Sequence, residues 1–173
     1  GGMGISYEKN KKKLNFKIYN SLINKFLKKN NCKIIFEPGR SIIGDAGILI
    51  SKIIYIKKNK NKNFVILDAA MNDLMRPALY GTKHQIIPSI KNKKNLNEIF
   101  EFVGPICEST DKFLTINKFQ KIKEGDILII CDSGAYGMSL SSNYNVRPLS
   151  AEILIKNSKI QVIRNRQKLS DLI

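Results

Sequence analysis

Four clusters hold side chains able to do chemistry, three of them beside glycines that let backbone come close to a ligand. The first is Gly1-Gly2-Met3-Gly4. Successive amide N–H groups there can converge on a phosphate, although a plain tight turn would read the same. The second is Glu37-Pro38-Gly39-Arg40. Its carboxylate can partner a cationic ring nitrogen, and its guanidinium offers a two-pronged donor to phosphate or carboxylate. The bland reading is a strand-ending turn with an exposed ion pair. The third runs from Asp68 to Tyr80 and holds Arg76 and Tyr80, spaced to share one helical face and so to clamp a carboxylate. Its alternative is a packing tyrosine and a surface charge. The fourth joins Gly104-Pro105-Ile106-Cys107-Glu108-Ser109 with Asp132-Ser133-Gly134-Ala135-Tyr136-Gly137. A lone cysteine is usually inert packing, yet Cys107 stands beside Glu108 in a loop with Gly and Pro. A thiol pKa of about 8.5 makes such a group a candidate proton donor near neutrality. Cys32 and Cys131 lack such surroundings and read as structural.

These segments need elements to position them. Apolar residues recur at helical spacing over 14–29, at Ile18, Tyr19, Leu22, Ile23, Phe26 and Leu27, and Asn30-Asn31 should end that helix. Residues 33–36 form a short apolar run before Pro38-Gly39, suited to a strand buried on both faces with Glu37 at its C-terminal end. Glycine loop, helix, strand and turn predict one unit of an α/β fold with parallel strands. Beyond Asp45, β-branched runs dominate at 48–56, 64–67, 99–106, 127–131, 152–155 and 160–163, parted by polar turns as in an antiparallel sheet or small barrel. Residues 71–79 look helical, with Pro77 expected to interrupt them. The expected fold is α/β followed by mostly β. Residues 1–45 would end one domain, and 46–173 would form a β-rich one whose last strand or helix can pack back on the first. A glycine cluster with no strand or initiator methionine before it reads as a cut inside a domain.

Composition removes several function classes. The chain has 173 residues, 43 % of them hydrophobic, enough for a real core. No apolar run reaches the roughly 20 residues of a membrane span, and residues 1–10 do not form a signal peptide. Three cysteines without CxxC or Cys/His pairing argue against a zinc module or a disulfide framework, and no metal ligands are expected. The net charge is +16, from 30 Lys and Arg against 14 Asp and Glu. The excess is mostly Lys mixed with Asn, in the gaps between apolar segments. That pattern describes solvated loops better than a nucleic-acid face with Arg and interleaved aromatics. A protein of a reducing compartment, without membrane or nucleic-acid partners, is expected.

Taken together, the segments resemble one family. Gly-Gly-x-Gly-Ile, Glu-Pro-Gly-Arg-Ser-Ile, Asp-Ala-x-Met-Asn-Asp-Leu-x-Arg-Pro-Ala-Leu-Tyr, Gly-Pro-x-Cys-Glu-Ser and Gly-Ala-Tyr-Gly-Met-Ser-x-Ser-Ser-Asn-Tyr-Asn-x-Arg-Pro stand here in the order found in the diaminopimelate decarboxylases. The resemblance covers nearly the whole chain. Its two short motifs also occur in ornithine and arginine decarboxylases, which keeps another diamino-acid decarboxylase, or a non-catalytic homologue, as the alternatives.

The resemblance implies a pyridoxal 5'-phosphate (β/α)₈ barrel followed by a β-sandwich or β-barrel domain, working as a cytoplasmic homodimer with shared active sites. A barrel of that kind needs about 250 residues, so residues 1–45 would be only its last elements. The family's cofactor-bearing lysine would lie upstream of Gly1, and this chain alone should be inactive. By motif, Gly2, Glu37, Pro38, Gly39, Arg40 and Tyr136 would bind the cofactor, with Glu37 under the pyridine nitrogen. Arg40, Arg76, Tyr80, Glu108 and Tyr136 would bind substrate, and Cys107 would be the catalytic proton donor. The implied reaction turns meso-2,6-diaminopimelate into L-lysine and carbon dioxide, the last step of lysine biosynthesis. A carboxylate and an ammonium at the far end of the substrate call for an Arg and a Glu, which Arg76 and Glu108 supply.

Overall fold

A computed structural model describes residues 1–7 and 14–173. Helix α1 (Phe16–Lys29) begins where Asn15 Oδ1 accepts the Lys17 and Ile18 amides at 3.0 and 3.2 Å, which satisfies donors a helix start leaves open. Asn30 closes it, its N–H reaching the Phe26 carbonyl at 3.1 Å, with Lys28 and Lys29 against the negative end of the dipole. None of its residues is buried.

Two expectations for this region fail. Residues 33–36 form no strand, and Ile35 is 85 % exposed. A strand needs a neighbour for its amides and carbonyls, and no described strand lies alongside, so the parallel α/β unit is not formed here. Cys32 is exposed rather than packed, whereas Cys131 is half-buried.

A four-residue turn of helix, α2 (Arg40–Ile43), leads through a tight turn at Gly44–Ala46 into strand β1 (Leu49–Lys58). The following elements are β2 (Asn63–Leu67), helix α3 (Arg76–Tyr80), β3 (Ile86–Pro88), β4 (Asn95–Leu96), β5 (Phe100–Val103), β6 (Lys112–Ile116), β7 (Phe119–Gln120), β8 (Ile127–Ile130), β9 (Glu152–Lys156) and β10 (Lys159–Arg164). Six of them make one curled sheet in the order β3-β8-β1-β2-β5-β6. Strand β1 pairs with β8 over its first half (Leu49↔Ile130) and with β2 over its second (Ile53↔Leu67), with a register shift between Ile53 and Tyr55. Such a shift bends a strand. One pair departs from the expected antiparallel arrangement: β2 and β5 run parallel, Val65 opposite Phe102.

Period-two alternation makes the core. In β2, Asn63, Val65 and Leu67 point inward, in β5 Phe100 and Phe102, and in β8 Leu128 and Ile130. Phe119 packs edge-on against Phe102, ring centroids 5.1 Å apart. Full burial of each such side chain contributes about 1.5–3 kcal/mol. The expected run 99–106 stops pairing at Val103, which frees the next residues as a loop. The last two expected strands do form, as the hairpin β9–β10, but they pair only with each other and stay largely exposed.

Pro77 does not interrupt a helix over 71–79. It sits in the first turn of α3, where a proline's missing N–H costs nothing, and residues 71–73 are a turn. Gly81, at φ +62°, caps that helix in the left-handed region that glycine adopts freely.

Candidate functional site

Three chain segments meet where β1 begins and where β2 and β8 end. Backbone holds two of them together: the Ser133 amide donates to the Gly47 carbonyl at 2.8 Å and the Gly134 amide to the Gly44 carbonyl at 3.1 Å. The approach is close enough that a Cβ on Gly134 would collide with the Ile43 carbonyl oxygen and stand 2.8 Å from the Gly47 nitrogen. Two glycines therefore set the distance between α2, which carries Arg40, and the loop that carries Tyr136. Tyr136 itself has φ +61°, an uncommon conformation for a residue with a side chain.

Tyr136 lies between two cations. The Arg40 guanidinium carbon is 5.5 Å from its ring centroid, and that of Arg76 is 5.2 Å away. Arg76 also faces Tyr80 and Tyr7, each at 5.4 Å, so three tyrosine rings surround its guanidinium. Cation–π contacts of this kind contribute about 0.5–2 kcal/mol apiece. They hold the charge in place without using its N–H donors. Arg76 is 6 % exposed, far from the surface charge of the bland reading. The Nε atoms of Arg40 and Arg76 are both buried without a partner. Among the described residues no carboxylate pairs with either guanidinium. Buried donors left open cost about 1–3 kcal/mol each, a cost that an anionic ligand would remove.

Two further side chains belong to this cluster, and the sequence reasoning missed both. His84 is fully buried, its Nδ1 donating to the Cys131 carbonyl at 2.8 Å, its ring edge-on to Tyr7 at 4.8 Å. Its Nε2 and the Tyr7 hydroxyl are likewise buried and unpartnered. Burial pushes the His84 pKa down and Arg76 adds to that, against the Cys131 carbonyl and Asp132, which raise it. A Tyr three residues beyond a glycine cluster and a chain's single His were the signals available.

The glycine segment lies beside Glu37, since a Cβ on Gly1 would meet the Glu37 carbonyl at 3.6 Å, and Gly2 has φ +85°. Glu37 and Gly39 are exposed and Pro38 half-buried.

Cys107 and Glu108 occupy a different loop, after β5. Cys107 is exposed and Glu108 half-buried. Glu108 Oε1 accepts from Ser109 Oγ at 3.3 Å and the Thr110 amide at 3.4 Å. Among the described residues no hydrogen bond or ion pair joins this loop to Arg40 or Arg76. It is tied instead to the segment before α3 by Asp111, which is 3 % exposed. The Asp111 carboxylate accepts the Met71 amide at 2.7 Å and the Ile106 amide at 2.8 Å.

The remaining motif residues build the frame. Arg147 donates from Nε to Asn72 Oδ1 at 3.0 Å and also bonds the Asp68 carbonyl, with Asp73 3.9 Å away. Asn72, fully buried, donates to the Ser142 carbonyl at 3.1 Å, and Asp73 accepts from Ser150 Oγ at 2.9 Å. Asp68 binds Ser51 Oγ at 2.6 Å. These bonds fasten the segment bearing Arg76 to the one bearing Tyr136.

The model of the pyridoxal-dependent decarboxylases' C-terminal sheet domain matches residues 10–134. The chain belongs to that family. The diaminopimelate decarboxylase of Aquifex aeolicus is 40 % identical over 167 residues, covering 96 % of this chain and 40 % of the relative. That of Helicobacter pylori is 43 % identical over 172 residues, with 99 % and 42 % covered. A crystal structure of the H. pylori enzyme complexed with L-lysine superposes with a TM-score of 0.89 at 42 % identity, over 99 % of this chain and 42 % of that one. The chain spans about two fifths of the length of these curated relatives. The family's cofactor carries a phosphate and an aromatic ring. Two guanidiniums with open, buried Nε donors, one tyrosine between them and a glycine segment beside Glu37 fit such a group. No described helix is long and apolar enough to cross a membrane.

Proposed function

We propose that this chain forms part of a pyridoxal-phosphate-dependent decarboxylase that converts meso-2,6-diaminopimelate to L-lysine and carbon dioxide. The observation that carries the reading is the pair Arg40 and Arg76, both against the Tyr136 ring and both with a buried, unpaired Nε donor. The diaminopimelate decarboxylases similar over 96–99 % of the chain support the substrate. When bound, pyridoxal phosphate supplies an electron sink for the carbon that loses carbon dioxide. Arg40, the amides of residues 1–4 and Tyr136 would hold its phosphate, with Pro38 and Gly39 shaping the approach and Glu37 keeping the ring nitrogen protonated.

The chain's residues then divide the substrate between them. Arg76, held by its three tyrosines, would take the far carboxylate through its two-pronged face, with Tyr80 beside it. Glu108 would bind the far ammonium, and the Cys107 thiol would return a proton to the carbon left by carbon dioxide. Cys107 and Glu108, which no hydrogen bond or ion pair joins to Arg40 or Arg76 among the described residues, would complete the site of a second copy in a homodimer with shared active sites. Residues 1–45 would close the cofactor-binding barrel, and the enzyme so formed would work in the cytoplasm.

The test uses the protein at its full natural length, with released carbon dioxide and L-lysine measured from meso-diaminopimelate. Arg76→Ala should lower kcat/KM by roughly 30- to 5,000-fold, the about 2–5 kcal/mol of a truncated buried charge contact. Turnover of ornithine or L-lysine in preference to diaminopimelate, unaffected by Arg76→Ala, would overturn the reading.

A further inference from the structure

The loop of Cys107 and Glu108 needs something to hold it, because neither side chain is anchored in the core. One buried carboxylate does most of this. Asp111 Oδ1 accepts the Met71 amide and Oδ2 the Ile106 amide, at 2.7 and 2.8 Å. Its own backbone closes the loop, with the Gly104 amide on the Asp111 carbonyl at 3.0 Å and the Asp111 amide on the Glu108 carbonyl at 3.1 Å. Gly104 leaves the room for this, since a Cβ there would collide with the carboxylate. A second contact follows the same path, from Thr110 Oγ1 to Met71 Sδ at 3.8 Å.

Met71 is no neutral anchor. It begins the turn that ends in α3, and that turn is rigid: Asp73 Oδ2 accepts the Ala70 amide at 2.9 Å and the Leu74 amide reaches the Ala70 carbonyl at 3.2 Å. Motion of residue 71 is therefore passed on to Arg76. We infer that Asp111 is a positioning residue: by accepting the Met71 and Ile106 amides together, it locks the Cys107–Glu108 loop to the segment that carries Arg76. In a homodimer with shared sites, one carboxylate thus couples the Arg76 of one site to the Cys107 and Glu108 that complete the other, touching none of the three. The inference rests on the proposed function for its meaning in catalysis, but the mechanical claim stands apart from it.

The test compares wild type, Asp111→Asn, Gly104→Ala and the core variant Val65→Ala in the full-length protein. Asparagine keeps the size of the side chain but turns one accepting oxygen into a donor facing an amide. The first readout is the rate of iodoacetamide alkylation at Cys107 relative to Cys32, followed by peptide mass spectrometry. The second is kcat and KM for meso-diaminopimelate. Asp111→Asn should change the Cys107 to Cys32 ratio several-fold and lower kcat/KM by roughly 100-fold, as a misplacement of about 1 Å does. Gly104→Ala, which drives a methyl into the carboxylate, should do the same and serves if the asparagine variant does not fold. Ratios and kinetics within twofold of wild type overturn the inference. So does a Val65→Ala variant of equal melting temperature that reproduces both effects. Alkylation needs no substrate, so a wild type that fails to turn over diaminopimelate refutes the proposed function while the ratio still decides the clamp.

Discussion

His84 meets two different surroundings through one ring. A carbonyl can only accept, so the neutral ring carries its proton on Nδ1, aimed at Cys131, and leaves Nε2 bare beside Tyr7. Burial and the Arg76 charge hold its pKa below the ordinary 6.5. In the unfolded chain the same imidazole takes up a proton near 6.5. Between the two values the unfolded state binds more protons, so stability falls as pH drops through that window and is level below it. Asp111 acts with the opposite sign: burial pushes it above its ordinary 3.8, so the folded state binds more protons and its stabilisation fades as pH rises. His84 is the chain's single histidine, so replacing it isolates its share. His84→Asn keeps a donor for the Cys131 carbonyl. Urea midpoints should fall less for His84→Asn than for wild type between about pH 7.5 and 5.5, the difference bounded by about 1.4 kcal/mol per pH unit. Equal falls would show that the ring titrates as freely folded as unfolded.

At the scale of elements, what the sequence revealed was what its local pattern specifies. Helix α1 was legible because the apolar spacing and Asn30 agree, and β2 and β8 because apolar, β-branched runs stand between polar turns. Residues 33–36 carry the same local signal with no pairing partner, and pairing is not local. The short strands β3, β4 and β7 hold only two or three residues, and β6 mixes Lys112 and Thr115 among its apolar residues, so none stood out as an apolar run. In the site, Arg76 with Tyr80 was readable from helical spacing. The convergence on Tyr136 was not, since it depends on a crossing of Gly47 and Gly134 that only the fold creates. That crossing makes a prediction. Gly134→Ala must push the Tyr136 loop off the 44–47 turn, costing about 1–3 kcal/mol as overpacking does. Gly4→Ala, where a Cβ meets nothing within 4 Å, should cost little. Equal urea midpoints for the two variants would mean that the loop yields freely and does not set the Arg40–Tyr136 distance.

For the whole molecule, apolar surface is distributed unevenly. The sheet buries Ile53, Val65, Leu67, Phe102, Leu128 and Ile130 fully, while α1 leaves Phe16, Ile18, Leu22 and Phe26 at 50–66 % exposure and β9–β10 leaves Ile155 and Ile160 at 70 % or more. A 14-residue helix and an isolated two-stranded hairpin are each marginal in water without packing. Their amides should therefore open locally, well below the global unfolding cost that protects β1, β2 and β8. Hydrogen exchange of this chain should show fast exchange over 20–27 and 153–163 and slow exchange over 50–56, 64–67 and 128–130. The relatives are more than twice as long as the chain, and a cover over both faces would make those amides share the sheet's stability. Exchange over 20–27 and 153–163 should then slow by roughly 100-fold in the full-length protein, the equivalent of about 2.7 kcal/mol of added local stability. If exchange there is equally fast in both proteins, nothing packs on these faces, and the apolar side chains of α1 and the hairpin stay in water throughout.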